Sequence, residues 1–160
     1  KTLSGHDDRI QYVVDPTFDL TKLATGSVDV TVSQAAFEHF SDIEKTIKQL
    51  STVVASGGVL IAEIDLMTHT GLLRGRDPLN IYRYSNILYR LLRFSGIPNR
   101  VRPQTYKDAL DRHGWYNVQI LPLQTLSSRQ VDEIRPGLAQ AFRDDPDMHI
   151  LSFLLLATKS

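Results

Sequence analysis

The 160-residue chain has no cysteine. That excludes a disulfide framework, a zinc–thiolate site, an iron–sulfur cluster and a cysteine nucleophile. No apolar run approaches the ~20 residues that a membrane-spanning helix needs. The start, Lys1-Thr2-Leu3-Ser4-Gly5-His6-Asp7-Asp8, has no apolar signal-peptide core. Net charge is also lacking, with 18 basic and 18 acidic side chains. This argues against a globally electrostatic nucleic-acid binder but leaves room for a local patch. What is present suits one folded domain: 42% hydrophobic residues can fill a core, and 22% charged residues are too few for a disordered polyelectrolyte. A cytoplasmic α/β protein is expected. There is no initiator methionine, so the chain is expected to begin partway into a longer protein.

The apolar pattern alternates between strand and helix periods. Ile10 to Val14 is a short β-favouring run closed by Asp15-Pro16. Val28 to Ser33 is β-branched and reads as a strand. Asp42 to Val54 reads as a helix, with Ile43, Ile47, Leu50 and Val54 on one face. Ser41 or Asp42 is placed to cap it, and Gly57-Gly58 to end it. Val59 to Leu66 is nearly continuously apolar, as in a strand covered on both faces. Strand, helix, glycine turn and apolar strand form a βαβ unit. Beyond it the expected order is a loop at 67–80, a helix at 80–94 and an irregular break at 98–103. A helix from Pro103 to His113, a strand from Trp115 to Leu123, a helix at 127–142 broken by Pro136-Gly137, and a strand at 149–158 complete the chain.

Val28-Asp29-Val30-Thr31-Val32-Ser33, followed by Phe37-Glu38-His39-Phe40-Ser41-Asp42, resembles the fourth strand and following turn of class I S-adenosylmethionine-dependent methyltransferases of the methyltransferase-11-like kind. Gly57-Gly58, the strand ending Glu63-Ile64-Asp65-Leu66, Tyr82-Arg83-Tyr84-Ser85, Asn99-Arg100-Val101-Arg102, and Tyr106 to Leu110 with Gly114-Trp115 follow in the order of a bacterial subgroup. The resemblance covers residues 10 to 158. It implies a Rossmann-like methyltransferase sheet with a helical insertion, or acceptor cap, at 67–103. It also implies an N-terminally incomplete domain, since no glycine-rich loop and no acidic strand end precede Ile10, which then aligns with the third strand. The implied cofactor is S-adenosyl-L-methionine, and the implied reaction is methyl transfer to a small-molecule acceptor. The isolated chain is expected to bind that donor weakly or not at all.

Site candidates follow from placement. Asp15, Ser33, Gln34 and Ala35 are expected on the donor side, because ligands of open α/β sheets bind outside the carboxyl ends of the strands. His39, next to Glu38, is the one candidate general base. Asp65, His69, Arg83, Tyr84, Asn99 and Arg100 are candidates for the acceptor. Asp65 and His69 alone are too few ligands for a metal, so no metal site is expected. Residues 74 to 102 hold seven arginines against one aspartate, a net of +6, and the remainder carries −6. That segment suggests an anionic acceptor and opens two alternatives: RNA binding through the arginines, although nucleic acid is the less expected partner, and a solvated helix face. A further alternative is a non-enzymatic module that dimerises through the sheet edge left by the missing strands.

Overall fold

The computed structural model describes residue 10, residues 12–15, 17–92 and 96–160. Four strands form one sheet in the order β1-β2-β4-β3. Strand β1 (Val28–Gln34) runs parallel to β2 (Val54–Asp65), with Val32 opposite Ile61 and Gln34 opposite Glu63. Between them lies α1 (Ile43–Val53), whose Asp42 side chain accepts from the Lys45 N–H at 2.9 Å. That bond satisfies one of the free donors at the helix start.

After β2 come α2 (Gly71–Arg74), a 3-10 turn (Asn80–Arg83) and α3 (Asn86–Leu91). The chain then enters α4 (Pro103–Arg112), β3 (Trp115–Thr125), α5 (Ser128–Ile134), α6 (Gln140–Arg143) and β4 (Ile150–Lys159). Strand β4 is antiparallel to both β2 and β3. Pro122 sits in β3, an edge strand, where a missing backbone N–H is tolerated. Among the described residues, no helix is long and apolar enough to cross a membrane.

The sheet core is one-sided. Leu60, Ala62 and Ile64 of β2 and Phe153, Leu155 and Ala157 of β4 are buried against Ile47 and Leu50 of α1 and Tyr106 and Leu110 of α4. Val59, Ile61 and Glu63, on the other face of β2, stay half-exposed. The apolar run of β2 is therefore a half-covered strand, not one buried on both faces.

Three further expectations are corrected. Ile10 and Tyr12 to Asp15 form no strand, and Ile10, Tyr12 and Val14 lie exposed; Gln11 and Pro16 fall outside the described residues. Gly57-Gly58 does not end α1. The helix stops at Val53 and β2 begins at Val54, so both glycines lie inside the strand. The register jumps there, from Val28 opposite Val54 to Val30 opposite Val59. Gly57 takes a φ of +81°, and a Cβ on Gly58 would lie 2.6 Å from Val54 Cγ1 and 3.0 Å from the Asp29 carbonyl. Glycine is thus required by a bulge and a close backbone approach. Finally, the helix expected at 80–94 is broken. Tyr84 is extended, and the Ser85 hydroxyl accepts from Leu88 N–H to start a new helix. Its expected end at 93–94 lies outside the described residues.

Candidate functional site

Because β1 and β2 are parallel neighbours, their carboxyl ends bring residues 35–39 and 65–69 together. At the end of β1 the chain must turn sharply. Ala35 does so with a φ of +48°, a left-handed conformation that costs an L-residue about 1–2 kcal/mol. Its N–H donates to the Glu63 carbonyl at 3.0 Å. A 3-10 turn, Phe37–His39, follows directly.

That turn points Glu38 inward. Glu38 is 1% exposed, and neither carboxylate oxygen has a side-chain hydrogen-bond partner. Burial raises its pKa, against smaller lowering pulls from its own backbone amide and then from His39. His39 Nε2 lies 3.9 Å from Glu38 Oε1, and His39 Nδ1 is buried without a partner. The His39 and His69 rings meet edge to face, 4.9 Å apart between centroids. His69 Nε2 lies 3.7 Å from Asp65 Oδ2, and burial lowers its pKa more than Asp65 raises it. Asp65 is also held by Arg74 at 2.7 Å and accepts from the Met67 N–H at 3.0 Å.

A cavity of about 350 Å³ opens beside His69. Ile81, Tyr84, Tyr89, Ile97 and Pro98 supply its apolar wall, and Thr68, Thr70 and Asn80 its polar groups. The segment between β2 and α4 folds over it and is tied back to the β1 turn. Asn99 Nδ2 donates to the carbonyls of Phe37 and Phe40, at 2.9 and 3.0 Å, and Asn99 N–H donates to the Glu38 carbonyl.

The expected site residues divide sharply. His39, Asp65 and His69 come together, and Tyr84 joins His69 in lining the cavity. Ser33, Gln34 and Ala35 lie at the same strand end, where Gln34 Nε2 donates to Glu63 at 3.2 Å. Asp15 instead pairs with Lys22 and accepts from Thr17, contacts that hold its pKa down at about 2.

Asn99, Arg100 and Arg83 hold the fold. Arg100 is 8% exposed; it donates to the carbonyls of Ile81 and Tyr84 and to Asn86, and stacks on Tyr89. Arg83 pairs with Asp77 at 2.7 Å. Arg102, which is 6% exposed, pairs with Asp145 and donates to the Tyr82 hydroxyl and to the carbonyls of Asp147 and Ile150. Four of the seven arginines between 74 and 102 are thus committed within the chain, Arg76 and Arg90 are exposed, and Arg93 falls outside the described residues. The +6 segment is largely internal wiring and not a free cationic face. Sequence reasoning missed the burial of Glu38 and the apolar wall of Tyr89 and Ile97, since nothing local to those residues marks either one.

Residues 1–62 match the family model described as a methyltransferase domain. No curated protein matches the chain significantly. An S-adenosylmethionine-dependent methyltransferase structure from Archaeoglobus fulgidus is similar at a TM-score of 0.57 and 12% identity, over 96% of this chain and 70% of that one. A Haemonchus contortus phosphoethanolamine N-methyltransferase 2, solved with S-adenosyl-L-methionine, is similar at 0.52 and 12% identity, over 86% and 34%. A protein from Galdieria sulphuraria described as a sarcosine dimethylglycine methyltransferase gives 0.51 and 16% identity, over 89% and 57%. The chain therefore spans about a third of the Haemonchus enzyme and a little over half of the Galdieria one. With β1, β2 and β3 running one way and β4 alone against them, the chain has the class I S-adenosylmethionine-dependent methyltransferase fold.

Proposed function

We propose that the protein containing this chain transfers a methyl group from S-adenosyl-L-methionine to a small-molecule acceptor held in the cavity beside His69. The observation that carries this reading is that cavity, at the carboxyl end of the parallel strands, where ligands of open α/β sheets bind. Residues 67–103 then act as the acceptor cap on a single methyltransferase domain. Ser33, Gln34 and Ala35 lie on the donor side of the same edge.

The methyl group of a sulfonium is already activated, so the protein's task is to position the acceptor in line and exclude water. The cavity wall of Tyr84, Tyr89, Ile81 and Ile97 suits a largely apolar acceptor body. A polar or ionisable group on that acceptor would face Thr68, Thr70 and His69. An anionic group finds less support than the arginine count suggested, because Arg83 and Arg100 are engaged by Asp77 and by backbone carbonyls. His69, which lines the cavity, stands closer to an acceptor hydroxyl than His39, the expected base, which meets it only through the His69 ring.

The test is formation of S-adenosylhomocysteine by the natural gene product carrying this chain, across a panel of small aromatic and aliphatic acceptors. Turnover with one acceptor class, and a rise in its KM in Ile97→Trp, supports the reading. A folded protein that neither binds the donor by calorimetry nor turns over any acceptor counts against it. The RNA alternative loses support with the arginines committed internally. The self-association alternative is favoured by one observation, the exposed Val30 and Val32 on edge strand β1. Light scattering that shows only monomer removes it.

A further inference from the structure

We infer that Glu38, His39 and His69 form a binding site for one divalent transition-metal ion of the zinc class. This goes beyond methyl transfer and does not depend on it. Three observations converge on the same few ångströms.

The first is proximity. One carboxylate oxygen of Glu38 and one ring nitrogen from each histidine all lie within 4.8 Å of one another. Ligands of one ion stand closer than that, so the side chains must draw in modestly. His39 and His69 side chains are about a third exposed, while Glu38 is enclosed.

The second is a polarity deficit. Both Glu38 oxygens and His39 Nδ1 are buried with no side-chain hydrogen-bond partner, and only the backbone amides of Glu38 and Asp65 bear on the carboxylate. A buried carboxylate lacking partners is costly, and such groups in folded proteins pair with a cation or coordinate one. Among the described residues no lysine or arginine forms an ion pair with Glu38; Arg74, the nearby cation, is directed to Asp65.

The third is the donor chemistry. Two imidazoles and a carboxylate suit zinc and its neighbours in the first transition row far better than calcium or magnesium, which prefer oxygen alone. Three protein ligands also leave a position open, as in catalytic and not structural zinc sites. His69 lines the cavity as well as the cluster, so the open position borders the cavity. An oxygen or nitrogen donor on a molecule bound there could complete the coordination. Asp65, held 3.7 Å from His69 Nε2, stands behind that ligand as an orienting carboxylate.

The ligands come from two loops about thirty residues apart in sequence, which is why Asp65 and His69 by themselves look too few. The parallel pairing of β1 and β2 supplies the rest.

The experiment is calorimetric titration of zinc chloride into metal-stripped protein, with cobalt(II) absorption as a second readout. One zinc per chain is expected, with visible cobalt d–d bands. His39→Ala and His69→Ala should each weaken binding at least tenfold, by analogy with the loss of a ligand's support, while far-UV dichroism stays that of the wild type. His113→Ala and His149→Ala, remote from the cluster, should leave binding unchanged. Because Glu38→Gln alters a buried group and could disturb folding, the two half-exposed histidines decide the matter. No zinc binding by folded wild-type protein overturns the site. So does wild-type affinity in either His39→Ala or His69→Ala.

Discussion

Around the sheet, Leu60, Ala62, Ile64, Phe153 and Leu155 meet Ile47, Leu50, Tyr106 and Leu110 side chain to side chain. In the second cluster Tyr89, which lines the cavity, packs with Leu79, Tyr82, Leu138 and Met148. The first cluster rests on regular elements whose backbone groups pair with each other. Much of the second rests on turns and short helices, and several carbonyls beside it accept hydrogen bonds from arginine. Arg100 serves Ile81 and Tyr84; Arg102 serves Asp147 and Ile150. A guanidinium presents five N–H donors in a rigid fork, so one side chain can satisfy several scattered carbonyls. Where regular structure is absent, buried arginine replaces it.

The comparison can be broken most directly at Arg102. Arg102→Ala leaves Asp145 and the carbonyls of Asp147 and Ile150 without their partner where the two clusters meet, and should cost about 3–5 kcal/mol in denaturant unfolding. It should also raise the KM of the proposed acceptor, because the Tyr82 hydroxyl loses one of its two hydrogen-bond partners beside the cap. Leu60→Ala, in the first cluster, should cost about 2–5 kcal/mol by leaving a void. It should lower stability while acceptor KM stays near wild type at temperatures where the variant is folded. Equal KM effects from the two variants would mean that the clusters are not separable. Ser127→Ala should cost about 1 kcal/mol, since Ser127 and Gln130 form a reciprocal capping box at the start of α5.

The smallest effect is expected at the surface of the first cluster, where Glu44 at the start of α1 pairs with Arg112 and His113 at the end of α4. Arg112, then His113, hold the Glu44 carboxyl down from its ordinary 4.5 to about 2. A depressed carboxyl stabilises above its unfolded pKa and loses that contribution as pH falls through the folded one. The difference between wild type and Arg112→Ala should therefore be present above pH 4.5, shrink below it and vanish near pH 2. Because the pair is exposed, it should also shrink in high salt. A difference that persists at pH 2 would assign Arg112 a packing role instead.

The two clusters were not equally legible in the sequence. Helical periods exposed α1 and α4 and alternation exposed β3, while β1 was legible from its β-branched residues and β4 from its apolar run. Gly57-Gly58 was misread because a glycine pair marks equally well a helix exit or a bulge. Only the pairing of Asp29 beside it decides between them. The segment from 80 to 94 looked like one helix because Tyr84, Ile87, Leu88 and Leu91 keep helical spacing. Ser85 intervenes with a cap that periodicity does not see. His39, Asp65 and His69 were legible as strand-end residues. The burial of Glu38 was not, since it follows from Asn99 closing over the turn 60 residues away. The arginines were counted correctly and their charge misassigned, because sequence shows a cation but not the carbonyl it faces.

The strand order has a consequence for how the molecule assembles. Strand β2 pairs with β1 across a short helical crossover, but its other neighbour, β4, lies about a hundred positions downstream, with Val59 opposite Thr158. On a ribosome the βα portion can condense early, while the open side of β2 waits for the final strand to emerge. Strand β3 waits with it, because β4 is its sheet neighbour too. Such distant pairing raises contact order, so the docking of Ile150 to Lys159 between β2 and β3 should be a slow step in joining these four strands.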